Sequence, residues 1–170
     1  MTHAVEPEQV AASVLAGKPV DAKAFGISGL DLQPVADRID RLISPDPAKP
    51  RFMREDIPAG WIRLLDMAVS ACCWRAAQQE GSALTLIQCK EKFGELRLLF
   101  DVVGTAELKN DVTTITTWAR TASVGVCGLF GTPGRLMTDD WIIPLSEEAV
   151  DLRNCNPREF QHRSRMPSRT

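Results

Sequence analysis

Apolar residues recur at helical spacing in four stretches of the chain and at strand spacing in one. Val10, Val14 and Leu15 share one side of a first helix, which Pro7 can open and Gly17 stops. Pro19 to Gly29 reads as loop. Asp31 is placed to cap a second helix, in which Leu32, Val35, Ile39, Leu42 and Ile43 form the apolar face. Asp37, Arg38, Asp40 and Arg41 of that helix face outward on this spacing. The run Ser44-Pro45-Asp46-Pro47-Ala48-Lys49-Pro50 cannot continue a helix and predicts a stiff linker. From Gly60, the residues Trp61, Leu64, Leu65, Ala68, Cys72 and Arg75 step by three and four. Ile62, Val69, Cys73 and Ala76 widen that stripe, so a long apolar helix is expected, ending near Gly81 and buried against a sheet. Ser82 to Lys90 reads as a strand. Leu96, Leu98, Phe100 and Val102 alternate with Arg97, Leu99, Asp101 and Val103. With Lys92-Phe93-Gly94 as the turn, the two segments make an antiparallel hairpin. Thr105 caps a further helix carrying Leu108, Val112, Ile115, Trp118 and Ala119. Gly125, Gly128, Gly131, Pro133 and Gly134 predict a tight loop, and Trp141-Ile142-Ile143 a short strand after it.

These elements define an α+β fold: an antiparallel hairpin-based sheet packed by two helices, with an N-terminal helical extension docked on it. The expected organisation is a helical extension and Pro-rich linker over 1–50, an α+β domain over 52–150, and a basic, disordered tail over 151–170. In that tail Arg153, Arg158, Arg163, Arg165 and Arg169 are scattered among few apolar residues. The 170 residues, 44% of them hydrophobic and 25% charged, suit one globular domain that needs neither disulfide nor metal to fold. A net charge of -2 argues against a protein built mainly as an electrostatic binder of nucleic acid or membrane. Only two histidines are present, His3 and His162, both near the chain ends. A Ser-His-Asp triad, a Cys-His dyad and a histidine-rich metal site are therefore disfavoured. No stretch approaches 18 uncharged apolar residues, and the segment MTHAVEPEQV lacks the features of a signal peptide. The five cysteines are odd in number and two are adjacent, which reads as reduced thiols in a cytoplasm. Cys72 and Cys73 read as core packing.

The segment from Gly60 to Ala149 resembles a family of small, mostly uncharacterised bacterial and phage proteins. The resemblance is carried by Gly60-Trp61 opening an apolar helix, by Cys89-Lys90-Glu91-Lys92-Phe93-Gly94-Glu95-Leu96-Arg97-Leu98-Leu99, by Cys127-Gly128-Leu129-Phe130-Gly131-Thr132-Pro133-Gly134, and by Trp141 to Ala149. The family pattern ends in two Cys pairs and a His that look like a zinc knuckle. Of those ligand positions this chain keeps Cys127 and has Phe130, Ser146 and Ala149 at the others. One thiolate cannot make a four-ligand zinc site, so the resemblance implies a degenerate knuckle without metal. Packing by Val126, Leu129, Phe130, Trp141, Ile142 and Leu145 is the expected substitute. The resemblance brings no established activity.

The remaining chemistry is sparse. Lys90, Lys92 and Arg97 flank the hairpin turn, either as a grip on a phosphate backbone or acidic partner or as a solvated edge that discourages strand pairing. Glu91 and Glu95 dilute that positive charge. Gly128, Gly131 and Gly134 lack the Lys-Ser/Thr and the following helix of a phosphate loop. Asp139-Asp140 reads as a polar turn, and Trp61 and Trp118 as core anchors. Cys127 as a nucleophile needs a base or cation; Arg135 is a candidate neighbour, and no histidine is available in the core. The expectation is a non-catalytic, cytoplasmic protein-binding protein of phage, prophage or mobile-element type, such as an immunity protein or inhibitor. It takes no cofactor and no metal, and its partner-binding residues are Lys90, Lys92, Phe93, Arg97 and Arg135. The alternative is a nucleic-acid-associated accessory protein that uses the basic hairpin and tail.

Overall fold

The computed structural model describes residues 5–44, 46, 48, 49 and 51–170. His3 and the prolines of the expected linker, Pro45, Pro47 and Pro50, lie outside the described residues. The elements run α1 (Pro7–Leu15), α2 (Leu32–Ile43), α3 (Ile62–Ala77), β1 (Ala83–Lys92), β2 (Glu95–Val103), α4 (Ala106–Ser123), β3 (Arg135–Met137), β4 (Ile143–Leu145), α5 (Glu147–Cys155) and α6 (Pro157–Arg163). Short 3-10 turns occupy Ala22–Phe25, Arg54–Asp56 and Ala59–Trp61. The expected caps form: Asp31 Oδ1 accepts from Gln33 N at 3.1 Å, and Thr105 Oγ1 accepts from Leu108 N at 3.2 Å. The fold class is α+β, with two two-stranded antiparallel sheets, β1–β2 and β3–β4.

Helix α3 is the centre of the molecule. Trp61, Ile62, Leu64, Leu65, Ala68, Val69, Ala71 and Cys72 are all fully buried. Residues so placed span about half the circumference of a helix, a face wider than a single narrow stripe. The neighbours are α1, α2 and α4, and β1 is touched only lightly. The expectation that α3 lies against a sheet is corrected: the two N-terminal helices take that place. Val10, Ala11 and Val14 of α1 and Ala36, Ile39 and Ile43 of α2 share one continuous core with α3, α4 and the hairpin. Leu42 is an exception to the expected face and stays 40% exposed.

A second, smaller core gathers Cys127, Leu129, Ile143, Leu145, Ala149 and Phe160. It joins the first through Gly60, whose N–H donates to Gly128 O at 2.8 Å. A Cβ at Gly60 would collide with the Cys127 carbonyl, so only glycine lets these two backbones approach. Trp61 fixes the same junction, its Nε1–H donating to Val126 O at 2.8 Å.

The disordered tail is also corrected. Residues 147–155 and 157–163 are helical, and Phe160 and Met166 are buried. The caps were present in the sequence. Ser146 Oγ accepts from Ala149 N, Asn156 Oδ1 accepts from Glu159 N, and Pro157 opens α6. The few apolar residues of the tail enter the second core or close the first, and three of its five arginines are in ion pairs. Arg153 meets Asp139, Arg163 meets Glu159 within the tail, and Arg169 meets Asp40. Charge scattered in sequence is thus partly neutralised in three dimensions.

Asp37, Arg38 and Asp40 do not simply face solvent, as their spacing suggested. Arg38 makes a two-bond ion pair with Asp66 of α3. Arg54, 2% exposed, receives Asp37 and Asp40 on one side and donates to the Pro167 and Ser168 carbonyls on the other. Desolvation opposes its charge, and the hydrogen bonds it donates to Asp37 and Asp40 more than offset that, so Arg54 stays ionised. The last residues of the chain are strapped to α2 by this network.

Candidate functional site

The hairpin turn is the most unusual backbone in the molecule. Lys92 pairs with Glu95, leaving a two-residue loop of Phe93 and Gly94. Both have positive φ, 54° and 78°, which is the geometry of a type I′ turn. That turn favours Asn-Gly; a phenylalanine at its first position costs energy in the left-handed region. Phe93 is the only described non-glycine residue with positive φ, and its ring is 65% exposed. It buries little in return for the strain. Lys92 Nζ stands 5.6 Å from the centroid of its ring.

The tip is braced from below. A Cβ at Gly94 would collide with Leu136 Cδ1 of β3. Glu91 accepts from Gly94 N through Oε1 at 2.8 Å and from Trp141 Nε1 through Oε2 at 3.4 Å. Leu136 and Trp141 remain 41% and 38% exposed. Phe93, Leu136 and Trp141 therefore form an apolar platform where the β1–β2 tip meets the β3–β4 hairpin. Beside Trp141 opens a cleft of about 390 Å³, whose charged walls include Asp56, Lys90 and Arg165.

The sequence-derived residues separate into three groups. Lys92 and Phe93 are at the tip. Lys90 and Arg97 face each other across the strands farther down, on the sheet face away from the helices. Arg97 is held by Glu95, which also accepts from Arg120 at 2.9 Å. Arg135 is exposed on β3 next to Leu136. Because neighbours on a strand point to opposite faces, Arg135 stands away from the side that meets Gly94. Sequence reasoning missed Leu136, and it placed Trp141 in the core. The Trp-Glu91 bond is the reason: a tryptophan whose N–H has a carboxylate partner at the surface can leave one ring edge in water.

The four positions of the expected knuckle do share the second core. Cys127 is fully buried, and its Sγ accepts from Leu129 N at 3.4 Å and from Ser146 Oγ at 3.5 Å. Ala149 is fully buried and Phe130 half-buried against the same cluster. The donors there are one thiol and one hydroxyl, which does not fit a four-ligand zinc site. Leu129 and Leu145 plug the site as expected, Phe130 and Trp141 contribute less, Val126 joins the first core, and Ile143 and Phe160 complete the cluster.

Cys72, Cys73 and Cys89 offer no activated thiol. Burial pushes the Cys73 thiol up to about 11 and those of Cys72 and Cys89 higher still. A cavity of about 890 Å³ lies between the loop from Ile27 to Gln33 and the strapped segment from Arg165 to Ser168. Its walls mix apolar side chains with Asp31, Glu148, His162 and two arginines. Among the described residues no helix is long and apolar enough to cross a membrane. No protein-family model, curated protein or solved structure matches this chain.

Proposed function

We propose that this chain is a non-catalytic protein-binding protein and that the braced hairpin tip is its contact surface. The observation that carries this reading is Phe93: an exposed aromatic ring held in a left-handed turn, beside two further exposed apolar side chains, on a backbone fixed by Glu91 and Leu136. Strain persists where surrounding structure over-determines it, and such strain clusters at functional positions. A rigid aromatic anchor ringed by Lys92 and the charged cleft has the composition of a binding hot spot, in which aromatic residues and a polar rim dominate. An immunity or inhibitor role is one form this function takes. The nucleic-acid alternative is weaker, because Glu91, Glu95 and Asp101 interrupt the cations of the hairpin.

The experiment is affinity purification from the native host with wild type, Phe93→Asp and Trp141→Ala. The expected result is a protein partner recovered with wild type and lost with both variants, each still folded by circular dichroism. Equal recovery of the same partners would overturn the tip assignment. Recovery of nucleic acid alone, released between about 50 and 200 mM salt, would favour the alternative.

A further inference from the structure

The inner face of the β1–β2 hairpin is buried: Leu86, Cys89, Leu96, Leu98 and Phe100 are each less than a tenth exposed. The outer face is only partly covered: Thr85, Gln88, Lys90 and Arg97 are half-buried. Leu99, Ile87 at the bulge, and Val103 remain 53%, 58% and 57% exposed. Lys90 stands directly opposite Arg97 in the register, and like charges so placed repel. Around this pair the outer face is cationic: Lys90, Lys92 and Arg97 of the strands share it with one strand carboxylate, Glu95, which pairs with Arg97. Toward the open end of the hairpin the sign reverses at Asp101, which pairs with Thr85 in the register and belongs to no ion pair among the described residues.

Arg97 and Asp101 flank Leu99 at two residues on either side, so all three share the outer face. That order, cation then apolar then anion, is complementary to its own reverse. We infer that the outer face of the hairpin is a contact between two copies of this chain. A two-fold axis in the plane between the sheets, perpendicular to the strands at Leu99, stacks Leu99 on its counterpart. It brings Arg97 of each copy over Asp101 of the other, with Lys90 as a second cation for that carboxylate. The contact is isologous and closes as a dimer. The two sheets pack face to face about 10 Å apart, with their strands offset by the usual twist. Strands of nine and ten residues make a face only about 30 Å long and about 10 Å wide. At about 300 Å² per copy this is below the size of standard specific interfaces, so the dimer is weak and concentration-dependent. The inference goes beyond the tip reading and does not use Phe93.

The test is sedimentation velocity on the full chain from about 5 to about 500 μM, the range in which weak contacts dissociate. Wild type is expected to shift from monomer to dimer as concentration rises, and Leu99→Lys to stay monomeric. Arg97→Asp alone and Asp101→Arg alone place like charges over each other at both contacts, and each should weaken the dimer about tenfold or more. Mixed in equal amounts, the same two variants have opposite charges at both contacts and should form a heterodimer. Melting curves report whether each variant is folded, and Leu99→Lys serves as the independent probe if Arg97→Asp, beside Glu95, is not. Monomer throughout the range for wild type overturns the inference. So does a dimer unaffected by Leu99→Lys, or the failure of two folded charge variants to pair on mixing.

Discussion

Arg169 grips Asp40 with two hydrogen bonds, Nε to Oδ2 at 2.9 Å and Nη2 to Oδ1 at 2.7 Å. The same guanidinium donates to Phe52 O at 2.8 Å and lies 5.2 Å from the centroid of the Phe52 ring. A residue next to the C-terminus is thereby fixed to α2, to the segment before α3, and to an aromatic face at once. Met166, 5% exposed, anchors the strap from the other side of Arg54. Deletion of residues 165–170 should therefore destabilise the protein. It removes a buried methionine and takes two carbonyl partners from the buried Arg54, together worth about 2–4 kcal/mol. Urea unfolding checks this, and the same loss should lower the melting temperature by several degrees. Arg169→Ala alone, at a partly exposed pair, should cost about 1 kcal/mol or less. An unchanged midpoint for the deletion would show that the strap contributes nothing.

Acid should loosen the same network. The hydrogen bond from Arg54 is the main cause that holds the Asp37 carboxyl below its ordinary 3.8, helped by Gln33 and opposed by partial burial. The unfolded chain then binds the proton more readily than the folded one. Stability from this group is present above pH 3.8 and is lost as pH falls below it toward the lowered folded value. Asp66 has the opposite sign. Burial raises it despite Arg38, so its share of stability falls as pH rises from 3.8 through the folded value. Asp37→Asn should flatten the acid limb of the unfolding free energy against pH, and Asp66→Asn should steepen it. Denaturant titrations at a series of pH values between about 2 and 6 read both slopes.

Much of the fold is legible in local signals. Asp31 and Thr105 cap where their position before an apolar repeat suggests, and the period-2 run from Leu96 to Val103 correctly puts Leu99 and Asp101 outward. What was not legible depends on partners far apart in sequence. The net positive tail reads as disordered until Asp40 and Asp139, distant in sequence, are seen to pair with Arg169 and Arg153. Helix α3 reads as sheet-packed because no local pattern states which surface meets it; α1 and α2 claim it through Ala11, Ala36 and Ile39, small or branched residues that permit close helix contact. At the site, Phe93 was visible as a turn aromatic, whereas its left-handed backbone and its brace depend on Gly94 meeting Leu136 across 42 residues.

Phe93 should trade stability for binding. Phe93→Asn produces the dipeptide that a type I′ turn prefers and relieves a left-handed aromatic. The ring is mostly in water, so little burial is lost. The variant should gain about 0.5–1 kcal/mol in unfolding free energy. It should at the same time weaken the partner recovered in affinity purification, because the anchor is gone. A variant that is less stable than wild type would show that Phe93 is there for the fold, and that its strain is offset by contacts within the chain.

The second core offers a test of the resemblance to knuckle-bearing proteins. Cys127 Sγ and Ser146 Oγ are 3.5 Å apart. Tetrahedral zinc with bonds of about 2.3 Å separates neighbouring sulfurs by about 3.8 Å, so two thiolates at these positions need only a small adjustment. Phe130 lies three residues beyond Cys127, on the loop that packs against the same cluster, and Ala149 lies three beyond Ser146 on the first turn of α5. The combined substitution Phe130→Cys, Ser146→Cys and Ala149→His supplies the missing donors. It should bind one zinc per chain and raise the melting temperature in a zinc-dependent way, since a ligand that binds only the folded state stabilises it by mass action. Elemental analysis and a melt with and without chelator measure both. Ser146→Cys weakens the cap on α5 by about 1 kcal/mol, a cost the zinc-free triple variant should show on its own. If the folded triple variant takes up no zinc, the second core is an ordinary apolar cluster with an unrelated origin, and the motif resemblance loses its structural meaning.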